Sequence, residues 1–439
     1  MRLFGRKKRV EAEPVEEPPA PTLPTPPEPN EHGYRDWQAQ RDWILDQIEP
    51  LPPFGMQLLD ALGLSLCEDI ESDVSLPGFD NAAMDGYAIQ AADTRGASEK
   101  SPAVLAVVGE IAAGTVADRP LAPGTAMKIM TGAPVPEGAD TVVQYELTDR
   151  GSEDVKIFAE IDVDKNIRRK GSDITEGEEL LGHGDIIDAR TIGLLAGIGI
   201  DKVLARPRPR VVVLATGSEL VEPGCRLTEL GQLFDSNSFM LAAQARGAGA
   251  QVFRVGVVGD DPDTLKQTIT DQLVRADLIV TSGGISEGDW DVVKEVAPQL
   301  GMVDFARIGM QPGKPQGFGL IGEDETPVLM LPGNPVSSFV SFEVFVRPVI
   351  RKLLGITPLV RPTVTAVTNT IIRSKPGRAR FVRAGIRTDP GGRRVVEQVG
   401  AHSSHLLGGL QRANALLLID DATETIPAGE TVQAWMLDE

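Results

Sequence analysis

The sequence predicts a multidomain fold of the α/β plus β class: a central three-layer αβα domain, a β-rich N-terminal domain, a C-terminal β barrel and a discontinuous linker domain. The chain has 439 residues, which is too long for one ordinary hydrophobic core. Residues 209–355 alternate strand-like and helix-like segments, which is typical of right-handed crossovers in a mostly parallel sheet. Residues 72–146 and 356–439 carry short β-like runs separated by Gly and Pro, and predict two smaller β structures.

The composition is that of a soluble globular protein and argues against several functional classes. Apolar residues make up 41% and charged residues 24% of the chain, and no uninterrupted apolar run approaches the ~20 residues of a membrane span. The net charge of −20 argues against bulk binding to nucleic acid or to an anionic membrane. The two cysteines, Cys67 and Cys225, lie far apart and predict neither a disulfide framework nor a zinc cluster, so we expect a cytoplasmic protein.

The chain divides into five predicted segments. Residues 1–31 hold eight prolines between positions 14 and 29 and predict a disordered tail. Helical patterns over Trp37–Ile48 and Phe54–Leu64 open a linker domain, and a third pattern over 188–200 predicts that the chain returns to it. The predicted boundaries are 1–31 for the tail, 32–70 with 174–205 for the discontinuous linker domain, 71–173 for the β-rich domain, 206–355 for the α/β domain and 356–439 for the barrel.

The turns that follow three predicted strands of the α/β domain carry carboxylates. The strands are expected at 210–216, 251–259 and 277–283, and ligands of such sheets bind beyond the carboxyl ends of the strands. Glu219, Asp260 and Asp289 follow these strands in turn and should lie near one crevice. Oxygen ligands of this kind suit Mg²⁺ that holds a substrate phosphate. Helix N-capping is the alternative interpretation of Asp289, and it is the ordinary one for the neighbouring Asp261.

Small residues surround these acids. The turn "TSGG" at 281–284 lets main-chain N–H groups approach an anion closely, whereas the acids beside it repel one, and a bound divalent cation resolves that conflict. Lys314, in "QPGKP", and the turn "LPGNP" at 331–335 are further candidates for oxyanion binding. Tight-turn chemistry alone would also explain their Pro and Gly residues. Because the sequence lacks the known motifs of covalent catalysis, metal-assisted transfer or hydrolysis at a phosphate remains.

Basic residues are concentrated in one part of this acidic chain. Residues 373–387 contain six Arg or Lys residues and no acid. Such an island indicates a site for a small anion, although an exposed strand face that only keeps the protein soluble would have the same composition.

Eight motifs together resemble the MoeA family, which is related to the E domain of gephyrin. They are, in order, "PGFDNAAMDGYA", "IMTGAPVPEGADTVV", "NIRRKGSDI", "ATGSELVEPG", "GQLFDSNSFML", "TSGGISEGDWD", "PGKP" and "LPGNPVSSFVSFEVF". The resemblance covers residues 35–439. It implies a MogA-like central domain and a homodimer in which the β-rich domain of one subunit faces the crevice of the other. It also implies a reaction in molybdenum cofactor biosynthesis: adenylylated molybdopterin and molybdate give molybdenum cofactor and AMP, with Mg²⁺ or another divalent cation assisting.

The resemblance assigns roles by motif position. The implied catalytic residues are Asp85, Thr131, Asp173, Glu219, Asp260 and Asp289, of which the last three are the implied metal ligands. The implied pterin- and phosphate-binding residues are Thr216, Gly217, Ser218, Asp235, Asn237, Ser282, Gly283, Gly284, Pro332, Gly333 and Asn334. The implied molybdate-binding residues are Lys314, Arg383 and Ser404.

The sequence departs from the family near the molybdate residues. Arg307 and Gln311 stand where many relatives have Lys, and Gly408 and Gly409 stand where some relatives have hydroxyl residues. Gln311 loses a charge, so either the oxyanion binds more weakly or the C-terminal Arg residues supply the charge. Two other functions remain as alternatives: a gephyrin-type scaffold and a general nucleotide pyrophosphatase. Contacts with the molybdopterin adenylyltransferase or with molybdoenzyme chaperones are a further hypothesis.

Overall fold

The computed structural model describes residues 22–286, 291–400 and 405–438, and the chain forms two compact units. The first unit joins the residues up to Pro52 to those from Pro207 onward, and the second comprises Pro53–Arg206. The second unit contains the predicted β-rich domain. It also contains the predicted linker domain, except that residues 32–52 belong to the first unit. No helix in the described ranges is both long enough and apolar enough to cross a membrane.

Helix α1, Trp37–Asp46, opens the first unit and confirms the first predicted helix, ending two residues earlier. Asp36 caps it, because its Oδ1 accepts hydrogen bonds from the main-chain N–H groups of Gln38 at 3.0 Å and Ala39 at 2.8 Å. Its two tryptophans pack edge to face against aromatic residues that lie far along the chain. The Trp37 ring lies 5.1 Å from that of Phe381, and the Trp43 ring lies 5.4 Å from that of Phe318.

The second unit is built mainly from short strands, as predicted. Its largest sheet has the strand order β7-β4-β6-β5-β8, and β1–β11, β2–β10 and β3–β9 form two-stranded ladders. The elements are β1 Phe54–Gln57, β2 Ile70–Glu71, β3 Asn81–Ala82, β4 Gly86–Ile89, β5 Ala103–Ile111, β6 Thr125–Ile129, β7 Thr141–Gln144, β8 Asp154–Ile157, β9 Ile167–Arg168, β10 Glu179–Leu181, α2 Ala189–Gly197 and β11 Lys202–Ala205.

The helix predicted over Phe54–Leu64 is wrong. Residues 54–57 form β1, which pairs antiparallel with β11 in the register Phe54↔Ala205 to Gln57↔Lys202, and turns follow. The apolar spacing of this stretch fits a helix. Pairing with a distant strand provides hydrogen bonds for the backbone N–H and C=O groups of this stretch. This tertiary contact outweighs the local preference for a helix. Helix α2 confirms the helix predicted over 188–200 and is capped by Asp188.

The α/β domain of the first unit confirms the predicted mostly parallel sheet. Its strand order is β15-β12-β16-β20-β19-β17. Five of these strands run in the same direction, and β19 runs antiparallel to the other five. The elements are β12 Arg210–Thr216, β13 Leu220–Val221, β14 Leu233–Phe234, α3 Asn237–Gly247, β15 Gln251–Val258, α4 Pro262–Leu273, β16 Leu278–Ser282, α5 Val292–Val296, β17 Gly301–Arg307, β18 Met310–Gln311, β19 Pro315–Ile321, β20 Thr326–Leu331, α6 Pro335–Ser341, a π-helical turn Phe342–Val346 and α7 Arg347–Leu354.

The register of this sheet aligns the ends of its parallel strands. Thr216 pairs with Val258, Ala215 with Ser282, and Ser282 with Leu331, so β12, β15, β16 and β20 end at one edge. Val212 and Leu214 pack in one core cluster with apolar residues of α4 and α5, while α3 contacts β12 and β15, α6 contacts β20, and these two helices contact each other. Helices therefore cover both faces of the sheet.

The C-terminal region confirms the predicted barrel. Strands β23, β24, β21, β27 and β25 form a closed ring, and β18 pairs with β23 on its outside. The elements are β21 Thr363–Thr368, β22 Ile372–Arg373, β23 Ala379–Thr388, β24 Arg394–Gln398, β25 Ala415–Ile419, β26 Thr425–Ile426 and β27 Thr431–Met436. Val382 and Ala384 on β23 belong to the barrel core. Because side chains alternate along a strand, Arg383 between them points away from that core.

The packing of α1 gives a prediction about stability. Trp37 is 9% exposed and contacts Phe381 and Trp435 of the barrel. We expect Trp37→Ala to destabilise the first unit by about 3–5 kcal/mol, because it removes a buried aromatic side chain and leaves a cavity. Denaturant unfolding followed by fluorescence would measure the change. Leu230→Ala is the control, since Leu230 belongs to the same unit and is fully exposed and should shift stability by less than about 0.5 kcal/mol. Equal unfolding of both variants would contradict the packing role of Trp37.

Candidate functional site

A glycine turn closes the carboxyl end of β16 by packing against β12. Gly283 and Gly284 have φ values of +98° and +67°, which side chains rarely adopt. A Cβ on Gly283 would lie 2.5 Å from the Thr216 carbonyl oxygen, and one on Gly284 would lie 2.7 Å from Val293 Cγ2. Only glycine therefore lets this turn lie so close to the end of β12.

Polar side chains tie the neighbouring turns to this one. The amide Nδ2 of Asn237 donates to Ser282 Oγ at 2.9 Å and to the Gly333 carbonyl at 2.7 Å. Ser282 Oγ also lies 3.0 Å from Ser338 Oγ, and it donates to the Pro332 carbonyl at 3.2 Å. The structure thus brings together most of the residues expected to bind pterin and phosphate. The sequence analysis missed Ser338, whose small buried hydroxyl completes the network.

Three buried polar atoms at these strand ends have no hydrogen-bond partner among the described residues. They are Thr216 Oγ1, Asn237 Oδ1 and Thr281 Oγ1. Unsatisfied buried polar groups are rare, and each requires an explanation. Their position at the strand ends, where such sheets bind ligands, makes this crevice the candidate binding site of the α/β domain. Asn334, also predicted to bind substrate, is exposed directly before α6.

Two of the three predicted metal-binding carboxylates lie on turns that hydrogen-bond to each other. Asp260 Oδ2 accepts from the main-chain N–H of Ser218 at 2.8 Å, and Ser218 Oγ accepts from the N–H of Asp260 at 3.2 Å. The carboxylate of Glu219 folds back over Gly217, where a Cβ would lie 2.6 Å from its Oε2. Asp289 lies outside the described residues. Within the described ranges, no group of three His, Cys, Asp or Glu residues could hold a metal ion.

Two other acids of this region cap helices. Asp261 accepts from the Thr264 N–H at 2.8 Å, which confirms the expected N-cap of α4, and these bonds with Thr264 lower the pKa of Asp261. Asp235 is fully buried: its Oδ1 accepts from the Ser238 N–H at 3.0 Å, and its Oδ2 lies 3.6 Å from Arg254 Nη1. The carboxylate of Asp235 is therefore committed to the start of α3, although the sequence placed it among the substrate-binding residues.

Three loops of the second unit, expected to be functional from their motifs, meet in space. β3 pairs with β9 in the register Asn81↔Arg168, and the Ala82 N–H donates to the Ala133 carbonyl at 3.0 Å. Asp80 accepts from the Lys170 N–H at 2.7 Å and pairs with Arg169. The Lys170 hydrogen bond and then Arg169 hold the pKa of Asp80 below its ordinary value.

Asp85 and Thr131 are in direct contact at this junction. Asp85 Oδ1 accepts from both the N–H and the Oγ1 of Thr131, each at 2.7 Å, and these bonds hold the pKa of Asp85 below its ordinary value. Asp173, the third expected catalytic residue of this unit, is exposed, and its N–H donates to the Leu76 carbonyl at 3.0 Å.

The sequence analysis missed Tyr145, which lies beside this junction. Its N–H donates to the Asp85 carbonyl at 3.2 Å. Burial first, and then the charge of Asp85, raise the pKa of its hydroxyl. Nothing in the local pattern separates Tyr145 from an ordinary core aromatic residue.

A third candidate site lies on the outside of the barrel. Arg383 is 5% exposed, its Nη1 donates to the Leu406 carbonyl at 2.6 Å, and burial lowers its pKa. It lines a cleft of about 420 Å³. Ser404 lies outside the described residues. The side chain of Lys314 is half-buried and does not line this cleft as far as the structure describes it.

The pairing of Asp85 with Thr131 gives a testable pH dependence. The lowered pKa means that the interaction stabilises the fold above the ordinary aspartate value of about 3.9, and that this contribution is lost as the pH falls through the lower folded pKa. Thr131→Val removes the hydroxyl donor, so the pKa of Asp85 should rise toward its ordinary value. Carbon-detected NMR titration would measure it, with Thr115→Val as a control, because Thr115 Oγ1 donates to the Ala112 carbonyl instead. An unchanged Asp85 titration in Thr131→Val would show that this hydroxyl does not hold the carboxylate.

Three family models match successive parts of the chain. The MoeA N-terminal region (domain I and II) matches residues 35–199, which contain Asp85, Thr131 and Asp173. A probable molybdopterin binding domain matches residues 212–352, which contain the crevice. The MoeA C-terminal region (domain IV) matches residues 365–437, which contain Arg383.

Individual relatives agree with these matches. The chain is 41% identical to molybdopterin molybdenumtransferase 2 of Mycobacterium tuberculosis over 409 residues, which is 92% of this chain and 100% of the relative. It is 33% identical to molybdopterin molybdenumtransferase of Haemophilus influenzae over 395 residues, or 89% of this chain and 96% of that one.

A solved structure, the molybdopterin biosynthesis MoeA protein of a Pyrococcus species, superposes with a TM-score of 0.76 at 30% identity and covers 92% of this chain and 100% of its own. From the three family matches and these near full-length relatives, we conclude that the chain belongs to the MoeA family.

Proposed function

We propose that this chain is a molybdopterin molybdenumtransferase that inserts molybdate into adenylylated molybdopterin and releases AMP, assisted by a divalent cation. The observation that carries the proposal is the crevice around Thr216, Asn237, Ser282 and Gly283. It lies within the part of the chain that matches a molybdopterin binding domain. Relatives that align with nearly the whole chain carry the name of this activity.

The crevice suits the pterin phosphate. A turn without side chains at Gly283 and Gly284 lets a phosphate approach the main chain, and the buried Asn237 Oδ1 is an acceptor for an N–H group of the ligand. The Asn237 amide also fixes Ser282 and the Gly333 turn on either side. Binding energy from the pterin then positions the pyrophosphate for cleavage.

Glu219 and Asp260 fit as ligands of a divalent cation, with Asp289 as the predicted third. Such a cation would neutralise charge on the pyrophosphate during cleavage. The hydrogen bond from the Ser218 N–H to Asp260 Oδ2 fixes the orientation of that carboxylate, and its other oxygen makes no hydrogen bond within the described chain. We identify the cation only as divalent, with Mg²⁺ as the first to test.

Asp85, like any exposed aspartate, is ionised at neutral pH, and its hydrogen bonds with Thr131 favour that form further by lowering its pKa. An ionised carboxylate accepts hydrogen bonds and protons but cannot donate a proton. We therefore propose that Asp85 orients a water molecule or a substrate hydroxyl, and that Thr131 fixes its position. Asp173 remains the third predicted catalytic residue of the second unit.

Molybdate, a tetrahedral dianion, is proposed to bind at the barrel cleft beside Arg383. The guanidinium stays charged at neutral pH even though burial lowers its pKa. Lys314 and Ser404 stay predicted contributors. We also propose a homodimer, as the family resemblance implies. Light scattering across a range of protein concentrations would test it, and a mass equal to one chain at every concentration would contradict it.

The activity is tested by AMP release. The purified protein would be mixed with adenylylated molybdopterin, Mg²⁺ and varied molybdate, and AMP would be measured by chromatography. We expect molybdate-dependent AMP from the wild type and a loss of roughly 10²-fold or more in Asp260→Ala, since the variant removes charge placed at the reacting phosphate. We expect a similar loss of AMP release in Asp289→Ala.

Asp263→Ala is the matched control, because Asp263 is an exposed acid in the first turn of α4. Its AMP release should equal that of the wild type. ATP cleavage as fast as cleavage of the pterin substrate would instead favour the pyrophosphatase alternative. Bound substrate without any AMP release would refute the proposed transfer.

A further inference from the structure

The barrel cleft is lined by basic side chains. They belong to Arg383, His405 and Arg412, and the described residues that line the cleft include no carboxylate. In a chain with a net charge of −20, two arginines in a cleft whose described lining has no carboxylate favour the binding of an anion. The family resemblance assigns Arg383 to molybdate, but it assigns no role to Arg412.

Arg383 forms the inner wall of this cleft. Its side chain points away from the barrel core and is nevertheless 5% exposed. The Leu406 carbonyl holds its Nη1, and Gly409 lies so close that a Cβ there would stand 2.7 Å from that atom. A side chain at 409, such as the hydroxyl residue of some relatives, would therefore displace this guanidinium.

Arg412 lies in a short loop with a fixed backbone. The Leu410 N–H donates to the Leu407 carbonyl at 2.9 Å, and the Ala413 N–H donates to the Leu410 carbonyl at 3.0 Å. Asn414 then clamps the loop to β23, because its Oδ1 accepts from the Ile386 N–H at 2.7 Å and its Nδ2 donates to the Ile386 carbonyl at 3.0 Å. Arg412 therefore lies two residues before Asn414, whose hydrogen bonds hold this loop to β23, the strand that carries Arg383.

The guanidinium of Arg412 is exposed and makes no hydrogen bond or ion pair within the described chain. Some other exposed arginines of the barrel are paired: Arg387 pairs with Glu397, and Arg393 pairs with Asp389. The exposed Arg394 is unpaired within the described chain, like Arg412, but it does not line the cleft. Arg412 therefore has unpaired N–H donors at the edge of a cleft whose described lining holds no carboxylate. Guanidinium groups bind tetrahedral oxyanions well, since their N–H groups can contact two oxygens at once.

We propose that Arg412 is a second oxyanion-binding residue of this cleft. The inference rests on the proposed function, in which the cleft takes molybdate. Two guanidinium groups then face a dianion: Arg383 binds it from the buried side, and Arg412 binds it from the solvent side.

Direct binding measurements test this without the full reaction. Isothermal titration of the full chain with sodium molybdate at constant ionic strength would compare the wild type with Arg412→Ala, Arg412→Lys and Arg383→Ala. We expect Arg412→Ala to raise the Kd about tenfold, as for loss of one charge-assisted contact. Arg412→Lys should restore part of the affinity, because it keeps the charge but not the paired N–H groups.

Arg394→Ala is the matched control, since Arg394 is an exposed arginine on β24 that does not line the cleft. A Kd in Arg412→Ala equal to that of Arg394→Ala, with Arg383→Ala still impaired, would overturn the role of Arg412 and leave the proposed molybdate site standing. Molybdate binding unaffected by either cleft arginine, or absent from the wild type, would overturn both. Circular dichroism of each variant would confirm that the fold is kept.

Discussion

The contact between the Gly283–Gly284 turn and the end of β12 is the constraint on which the crevice depends. Parallel pairing brings the ends of β12, β16 and β20 to one edge, but alignment alone would leave these turns separate. Without side chains at 283 and 284, the turn lies against Thr216, and Asn237 can then reach both Ser282 and Gly333. The close backbone packing and the polar network therefore require each other, and together they fix the walls of the crevice.

The acidic residues of this chain differ in whether they are buried and paired or exposed. Buried acids are neutralised within the structure. Glu343, 1% exposed, accepts from Arg361 Nε at 2.9 Å and from Gln244 Nε2 at 2.8 Å, and Asp235 faces Ser238 and Arg254. Glu219 and Asp260, by contrast, stay exposed at the crevice. Since an unpaired charge is costly to bury, the exposure of these two acids is compatible with the cation site proposed above.

The sequence was most informative where local pattern and fold agree. Alternating segments predicted the α/β sheet, and the order of its turns predicted that Glu219, Asp260 and Asp289 would lie near one crevice. In the structure, Asp260 is hydrogen-bonded to Ser218, the residue before Glu219. The sequence failed to predict the structure where the deciding contact joins residues that lie far apart in the chain. Phe54–Gln57 pairs with Lys202–Ala205, which no local period reveals. Ser338, Tyr145 and Arg412 were missed because their residue types are common in ordinary cores and surfaces. Asp235 stays a predicted substrate-binding residue, and its buried bonds to Ser238 became visible only in the structure.

Within the first unit, the position of the barrel cleft relative to the crevice depends on a few contacts. Helix α1 packs Trp43 against the sheet at Phe318 and Trp37 against the barrel at Phe381. Strand β18 leaves the α/β domain to pair with β23, and Arg361, just before β21, is held by Glu343. A two-substrate reaction needs its binding sites at a fixed separation, because small displacements of reacting groups cost large factors in rate. The contacts of α1, β18 and Arg361 therefore serve the proposed chemistry, although none of them touches either site.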